Sequence, residues 1–363
     1  MHIQAAIVNE KGGNITIQNV QLQPPKSNEV LIKLVGTGIC HTDIGVQLQH
    51  TPTPMPIALG HEGAGIIEQL GPDVTDFEVG DHVVISFAYC AKCKNCLEGH
   101  PASCNHFGEL NFGGHLLDGT SRLTKENEEI ATLFGQSSFA TYAVAHVNNV
   151  VKVDKELDLS LLGPLGCGIQ TGAGTVLNKL KPEIGDSIVI FGCGGVGLSG
   201  VMGAAITGAK TIIAVDIVPS RLELAKELGA THVINGKEQD AKEEIIRITG
   251  GGADYVLEST GVPALILQAI RSLRARGTMA SVGVGPDVTL NILEELIMYN
   301  RTLTGVVEGD SIPKLFIPQL IDYYKQGRFP FDKLINKYKF EEINEAIADM
   351  KSGKTVKPVI LFE

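Results

Sequence analysis

Four cysteines fall in one short stretch, Cys90-x-x-Cys93-x-x-Cys96-x7-Cys104. Four thiolates on one compact loop can close a tetrahedron around zinc and leave no open position for a substrate. Such a site carries net negative charge, which Lys92, Lys94 and backbone N–H groups help to balance. Its expected work is structural: the metal ties down a lobe, about residues 88–106, that lacks a core of its own. Disulfides and free thiols are the alternatives. The opening residues, MHIQAAIVNEKGG, hold no apolar run of signal-peptide length. That points to a reducing, cytoplasmic setting, where clustered cysteines bind metal more often than they pair.

A second constellation is Gly192-Cys193-Gly194-Gly195-Val196-Gly197, which fits G-x-G-x-x-G. It follows the strand-like SIVIF and opens the helix-like GLSGVMGAAITG, the context a dinucleotide site requires. Small residues let the backbone approach a pyrophosphate, and a helix N-terminus offers free N–H groups and positive potential. The next strand, TIIAVD, ends in Asp216. A carboxylate there can accept from both ribose hydroxyls and would repel a 2′-phosphate, so NAD is favoured over NADP. A ligand-free glycine turn with Asp216 as a strand-end cap is the alternative. Cys193 reads as a small buried thiol.

Three further residues are candidates for a second metal: Cys40 in GICHTD, His61 in GHEGAG and Cys167 in GPLGCGIQTG. Two thiolates and one neutral imidazole cancel the charge of Zn²⁺ and leave a fourth position open, the composition of a catalytic zinc that binds an alcohol. The three lie far apart in sequence, so spacing does not join them. Core thiols and a hydrogen-bonded structural histidine remain open readings.

Residues so far apart need a large scaffold. The chain has 363 residues, 44% of them hydrophobic and 20% charged, values of a globular protein with room for two domains. Its net charge of −11 argues against nucleic acid and anionic membrane as partners. The stretch Ser187–Ala209 is free of charge and long enough to cross a bilayer, but its seven glycines and β-branched opening predict strand, turn and helix. Up to about residue 155, segments such as EVLIKLVGTGI and DHVVISF alternate apolar residues between turns and predict an antiparallel, β-rich domain. From Asp186, strands alternate with helices (TIIAVD, PSRLELAKELG, THVIN, DAKEEIIRIT), which predicts a parallel sheet covered on both faces. The tail adds two amphipathic stretches, PKLFIPQLIDYYKQG and EEINEAIADMKSG, and a last strand, KPVILFE.

The segments GICHTD, GHEGAG, the four-cysteine lobe, GPLGCGIQTGAG, GCGGVG and VDIVPSRLELAKELGA stand in the order of the zinc-dependent medium-chain alcohol dehydrogenases, which the chain resembles throughout. QSSFATYA, LESTG and GVVEGDSIPKLFIPQL followed by GRFPFD make it most similar to the bacterial aryl-alcohol (benzyl alcohol) dehydrogenases. The resemblance implies an α/β protein: a GroES-like catalytic domain over 1–168, a doubly wound Rossmann domain over 169–307, and a return to the catalytic domain over 308–363. It implies two zinc ions per chain, one catalytic on Cys40, His61 and Cys167 and one structural on Cys90, Cys93, Cys96 and Cys104.

It also implies roles for neighbours. Glu62 lies behind the metal, and Asp43 orients His61. The Thr42 hydroxyl bonds the zinc-held oxygen. Thr171 and Val196 pack on the two sides of the nicotinamide, Gly192, Gly194, Gly195 and Gly197 carry the pyrophosphate turn, and Arg221 lies near the adenosine ribose beside Asp216. His41 and Lys357 contact the pyrophosphate where well-known animal members carry Arg, a change expected to loosen the grip and speed NADH release. For Asp43 and Glu62, plain solvated acids are the alternative, and for Arg221 a helix-surface charge. Many animal members end their proton relay on a histidine three residues after the hydroxyl residue, where this chain has Gly45. The route then runs from Thr42 through ribose and water, or through His41.

The implied reaction interconverts a primary aromatic or allylic alcohol and its aldehyde, by hydride transfer from a zinc-bound alkoxide to NAD. Phe87, Leu110 and Phe112 could wall an aromatic slot or be core. Dehydrogenases for S-(hydroxymethyl)glutathione, aliphatic alcohols or polyols are the enzyme alternatives. A noncatalytic NAD-binding structural protein is the other class, and retention of Cys40, His61 and Cys167 argues against it. The resemblance also implies a homo-oligomer, dimer or tetramer, with Val288–Leu293 pairing coenzyme domains.

Overall fold

Apolar-rich segments in the first part of the chain become strands, some buried on one face and some, such as that of Glu29–Gly38, on nearly their whole length. In the computed structural model, which describes Met1–Phe362, these are β1 (His2–Val8), β2 (Thr16–Leu22), β3 (Glu29–Gly38), β4 (Ile57–Ala58), β5 (Gly63–Leu70), β6 (His82–Ile85), β7 (Leu123–Lys125), β8 (Glu128–Thr132), β9 (Tyr142–His146) and β10 (Val150–Lys152). Five of them close a barrel in the order β1-β2-β7-β8-β4. The long β3 leads the second sheet, pairing antiparallel with both β5 and β9. Thr37 opposes Gly63 in that register, so the chain leaves β3 for Cys40 where His61 and Glu62 enter β5.

The βα units after residue 186 give a six-stranded parallel sheet of β11 (Ser187–Phe191), β12 (Thr211–Asp216), β13 (His232–Asn235), β14 (Ala253–Glu258), β15 (Leu273–Ser281) and β16 (Thr302–Gly305). Its order is β13-β12-β11-β14-β15-β16. Every residue of β11 is buried, as expected of a central strand covered on both faces. The order reverses beside β11, and the crevice at such a switch point, outside the strands' carboxyl ends, is where doubly wound sheets bind ligands. The uncharged Ser187–Ala209 stretch resolves into β11, a turn and the helix Gly195–Thr207. Among the described residues no helix is long and apolar enough to cross a membrane.

The last strands, β17 (Ile335–Lys339) and β18 (Lys357–Leu361), return to the second sheet, where β18 pairs antiparallel with β3 and opposes Val359 to Gly38. This is the α/β fold with a β-rich first part and a doubly wound parallel sheet that the motifs implied. Two strand pairs depart from the antiparallel expectation: β4–β8 and β17–β18 are parallel.

The chain divides into two compact units, one of Met1–Gly168, Ile312–Pro318 and everything from Asp332 on, the other of Ile169–Ser311 and Gln319–Phe331. The resemblance places 308–363 in the first domain as one piece. Residues 308–311 and 319–331 instead pack with the second unit. Gly309 fits against the backbone of Gln170 and Gly174, where a Cβ would lie 2.3 Å from the Gln170 carbonyl oxygen.

Candidate metal centres and dinucleotide loop

In the four-cysteine lobe, the Sγ atoms of Cys90 and Cys104 are 3.5 Å apart, Cys93 and Cys96 3.5 Å, Cys93 and Cys104 3.9 Å, and Cys90 and Cys96 4.0 Å. A zinc tetrahedron with bonds of about 2.3 Å has edges of roughly 3.8 Å, so the thiols fit the ion. Backbone N–H groups point at the sulfurs: Cys93 N donates to Cys90 Sγ at 3.3 Å, Asn105 N to Cys93 Sγ at 3.4 Å, and His106 N to Cys104 Sγ at 3.4 Å. The N–H groups of Asn105 and Cys96 draw the Cys93 thiol down to about 6, while burial pushes Cys96 and Cys104 up. A bound cation would favour the thiolate form of all four ligands. All seven cysteines of the chain are free of disulfides.

The second centre is assembled from distant segments. Ligand atoms of Cys40, His61, Glu62 and Cys167 all lie within 4.8 Å of one another. Asp43, fully buried, organises them: one carboxylate oxygen accepts from Cys40 N at 3.0 Å, and the other accepts from Gly60 N and from His61 Nδ1, each at 3.0 Å. That fixes the proton on Nδ1 and turns Nε2 toward the thiols. Nε2 is buried with no hydrogen-bond partner among the described residues. An orphaned imidazole nitrogen facing two thiols is the donor set zinc takes up. Burial would lower the His61 pKa, but the charge and hydrogen bond of Asp43, helped by Cys40, hold it well above the usual value. The hydrogen bond with Cys167 holds the Cys40 thiol well below its usual value, against burial. The cluster thus already carries thiolate character and a pull toward positive charge, both of which a cation would use.

Behind the cluster lies an ion pair that sequence reading missed. Glu62, fully buried, accepts from Lys357 Nζ at 2.9 and 3.0 Å and from Gly168 N at 3.0 Å. Lys357 is 4% exposed and also donates to Ile39 O at 3.1 Å. The resemblance puts this residue on the pyrophosphate; in this structure three oxygens surround its ammonium inside the first unit. Burial pushes the Glu62 carboxyl up against the pull of Lys357, and the Lys357 ammonium is held up by Glu62 and Cys40 despite burial. Gly38 makes room for this pair, since a Cβ there would lie 1.9 Å from Glu62 Oε2.

Gln136 and Phe134 were missed too. Gln136 Nε2 donates to His61 O at 2.9 Å, and its Oε1 accepts from Gly63 N at 3.2 Å, bracketing the His61–Glu62 segment. The Phe134 ring lies 4.7 Å from the His61 ring, with Phe112 edge-on to Phe134 at 5.2 Å. Of the proposed wall residues, Phe87 and Leu110 are core and Phe112 is half-buried. Thr42 Oγ1 lies 3.8 Å from Cys40 Sγ, beside the cluster. His41 is exposed at the start of the helix His41–Gln47, and a Cβ on Gly45 would meet nothing within 4 Å.

In the second unit the glycine loop turns tightly out of β11. Gly192 has φ +89°, and a Cβ on Gly197 would sit 1.7 Å from the Gly192 carbonyl oxygen, so the turn closes only with glycine there. A Cβ on Gly194 would meet open space, and the helix begins at Gly195 and Val196 with no side chain capping its first N–H groups. Asp216 is held at the end of β12 by Cys193 N at 2.6 Å, Ile217 N at 2.7 Å and Val218 N at 2.9 Å. Arg221 Nε is buried without a partner among the described residues. An open cradle, uncapped N–H groups and an oriented carboxylate fit a dinucleotide. Thr171 adjoins this loop, because a Cβ on the next residue, Gly172, would lie 1.8 Å from the Val196 carbonyl oxygen. Cys193 is fully buried, its thiol pushed up by burial, and reads as inert packing.

A family model described as "Zinc-binding dehydrogenase" matches residues 195–324, and one described as "Alcohol dehydrogenase GroES-like domain" matches residues 26–155. A geraniol dehydrogenase from Castellaniella defragrans is 44% identical over 99% of this chain and 97% of its own length. The crystal structure of benzyl alcohol dehydrogenase from Acinetobacter calcoaceticus is 48% identical, covers all of both chains and superposes with a TM-score of 0.96. An alcohol dehydrogenase zinc-binding domain protein from Burkholderia ambifaria is 50% identical, covers 100% of this chain and 99% of its own, and gives a TM-score of 0.97.

Proposed function

The chain belongs to the zinc-dependent medium-chain alcohol dehydrogenases, and from that premise we propose that it oxidises primary aromatic or allylic alcohols to their aldehydes with NAD: R-CH₂OH + NAD⁺ ⇌ R-CHO + NADH + H⁺. The cluster of half-buried Cys40 with buried His61 and Cys167, and the orphaned His61 Nε2, carries this reading. The benzyl alcohol and geraniol dehydrogenases among the relatives support the substrate class, as does the half-buried Phe112, which lies edge-on to Phe134.

Cys40, His61 and Cys167 would hold the catalytic zinc, and Cys90, Cys93, Cys96 and Cys104 the structural one. When bound, the catalytic zinc supplies a Lewis acid that makes an alcohol hydroxyl easier to deprotonate, and NAD accepts the hydride. Thr42, beside Cys40, takes the hydroxyl proton. With no side chain at Gly45, onward transfer of that proton would fall to the exposed His41, or to water and the ribose of a bound cofactor. Asp43 keeps the Nδ1–H tautomer of His61, so that Nε2 remains a ligand. Lys357 neutralises Glu62 and lets a second carboxylate stand behind the ligands. Gly192, Gly194, Gly195 and Gly197 receive the pyrophosphate, Asp216 the adenosine ribose with Arg221 nearby, and Thr171 and Val196 the nicotinamide.

We also propose a homo-oligomer, dimer or tetramer, in the cytoplasm. The sheet ends in the edge strand β16 with Leu303 exposed, and Ile292, Leu293, Ile297 and Met298 expose apolar surface in the same stretch of chain. Light scattering on the purified protein checks this, a monomer being the contrary result.

The test is a kinetic screen of benzyl alcohol, geraniol, ethanol, sorbitol and S-(hydroxymethyl)glutathione with NAD and with NADP. The account expects the highest kcat/KM for benzyl alcohol or geraniol with NAD. A preference for sorbitol or the glutathione adduct, or for NADP, would overturn it.

A further inference from the structure

Among the buried carboxylates of the second unit that the mechanism above leaves without a task is Glu308. Glu308 is 6% exposed and begins a run of three residues in the left-handed region, with φ +48° at Glu308, +66° at Gly309 and +49° at Asp310. Glutamate and aspartate disfavour that region by about 1 kcal/mol each, so the loop is held in place by its surroundings. The fastenings are visible. Glu308 Oε2 accepts from Gln170 Nε2 at 3.1 Å and from Thr171 Oγ1 at 3.5 Å. Ser311 Oγ lies 2.6 Å from Glu308 O and 3.1 Å from Gln170 Oε1, and Asn178 Nδ2 donates to Gly309 O at 3.1 Å. Gly309 leaves no room for a Cβ against Gln170 and Gly174.

The turn that carries Thr171 is therefore gripped from two sides. On one side Gly172 presses on Val196 in the glycine loop, and on the other Glu308 takes the Thr171 hydroxyl. With its hydroxyl directed to Glu308, Thr171 keeps its methyl on another direction of the same tetrahedral carbon, free to face a ring. The same bond brings a water-shielded carboxylate next to the residue assigned to the nicotinamide. That ring is a cation in NAD⁺ and neutral in NADH, and an anion shielded from water acts on this difference more strongly than one in bulk solvent.

We propose that Glu308 is a positioning residue that fixes the Thr171 side chain and biases the site toward the oxidised cofactor, through attraction between its carboxylate and the nicotinamide cation. The inference rests on the NAD reading given above and adds a residue and a direction to it: the carboxylate strengthens NAD⁺ binding relative to NADH.

The experiment measures dissociation constants of NAD⁺ and NADH, without alcohol, for wild type, Glu308→Gln and Glu308→Asp. Glutamine keeps length and an acceptor oxygen for Gln170 and Thr171 while removing the charge; aspartate keeps the charge. The expected result is a rise of about tenfold in Kd(NAD⁺)/Kd(NADH) for Glu308→Gln, with Glu308→Asp staying near the wild-type ratio even if both affinities fall. Should Glu308→Gln not fold, Glu308→Met, apolar and of similar length, gives the same readout. A purely structural role weakens both cofactors in step and leaves the ratio unchanged, which overturns the proposal. A wild type that binds neither NAD⁺ nor NADH overturns the NAD reading itself, and this inference with it.

Discussion

The two cysteine centres are built in opposite ways. The lobe takes four ligands from one loop, leaves Cys93 and Cys96 partly exposed, and surrounds its sulfurs with backbone N–H groups. The Cys40–His61–Cys167 centre draws its ligands from three distant segments, buries His61 and Cys167, and surrounds them with charged side chains: Asp43, Glu62 and Lys357. Backbone donors and a complete thiolate tetrahedron suit a metal that only holds the chain. An incomplete donor set, with carboxylates fixing tautomer and charge, suits a metal that must share its ion with a substrate.

Separate damage to each centre tests that contrast. Cys167→Ser should lower alcohol turnover on the order of 10³-fold or more, since several kcal/mol of transition-state stabilisation depends on the catalytic ion. NADH binding, followed by fluorescence, should persist, because the glycine loop and Asp216 belong to the other unit; loss of both would break the contrast. Cys104→Ser should act on stability instead. A structural zinc site contributes folding free energy directly, so a melting point lower by several degrees is expected, with turnover retained in the surviving protein. An unchanged melting point would remove the lobe's assigned role.

Smaller effects sharpen the picture of the open centre. Lys357→Met strands the buried Glu62 carboxylate and should destabilise by about 3–5 kcal/mol in denaturant titration. Lys357→Met with Glu62→Gln should recover much of that, because neither variant side chain carries a charge. Asp43→Asn can donate to His61 and so favour the wrong tautomer; zinc affinity at this centre should fall about 10–100-fold in chelator competition, with the lobe unaffected.

The smallest effect is a pH dependence at a carboxylate that belongs to neither cysteine centre. Burial pushes Asp81 up, but hydrogen bonds from Lys152 at 2.7 Å and from Glu78 N at 2.9 Å outweigh it and hold its carboxyl below the usual range. A depressed folded pKa contributes stability that is fully present above the unfolded value of about 3.9 and is lost as pH falls through the folded one. Asp81→Asn should therefore be less stable than wild type at neutral pH, and the gap should close in acid. A gap that is constant with pH would mean that the charge contributes nothing.

What could be read from the sequence follows the same division. The lobe was legible because its ligands are neighbours in the chain, and the glycine loop because strand, turn and helix are consecutive. Asp216 was legible because it ends the next strand. The Glu62–Lys357 pair spans 295 residues and forms only because β18 lies against β3, a pairing that no local pattern announces. Gln136, 75 residues from His61, and Phe134 depend likewise on where β5 and the loop before β9 meet. Resemblance supplied Cys40, His61 and Cys167 together, where composition left each a possible core residue, but it gave no sign that Lys357 pairs with Glu62. The boundary at 308 was misplaced for a similar reason: Gly309 docks on a helix far upstream in the chain.

Zinc content per chain, measured on wild type, Cys167→Ser and Cys104→Ser protein, tests the central claim most directly. The account predicts two ions in wild type and one in each variant, with turnover lost only in Cys167→Ser and thermal stability only in Cys104→Ser. One ion per wild-type chain, or a Cys167→Ser protein that keeps both ions and its turnover, would contradict it.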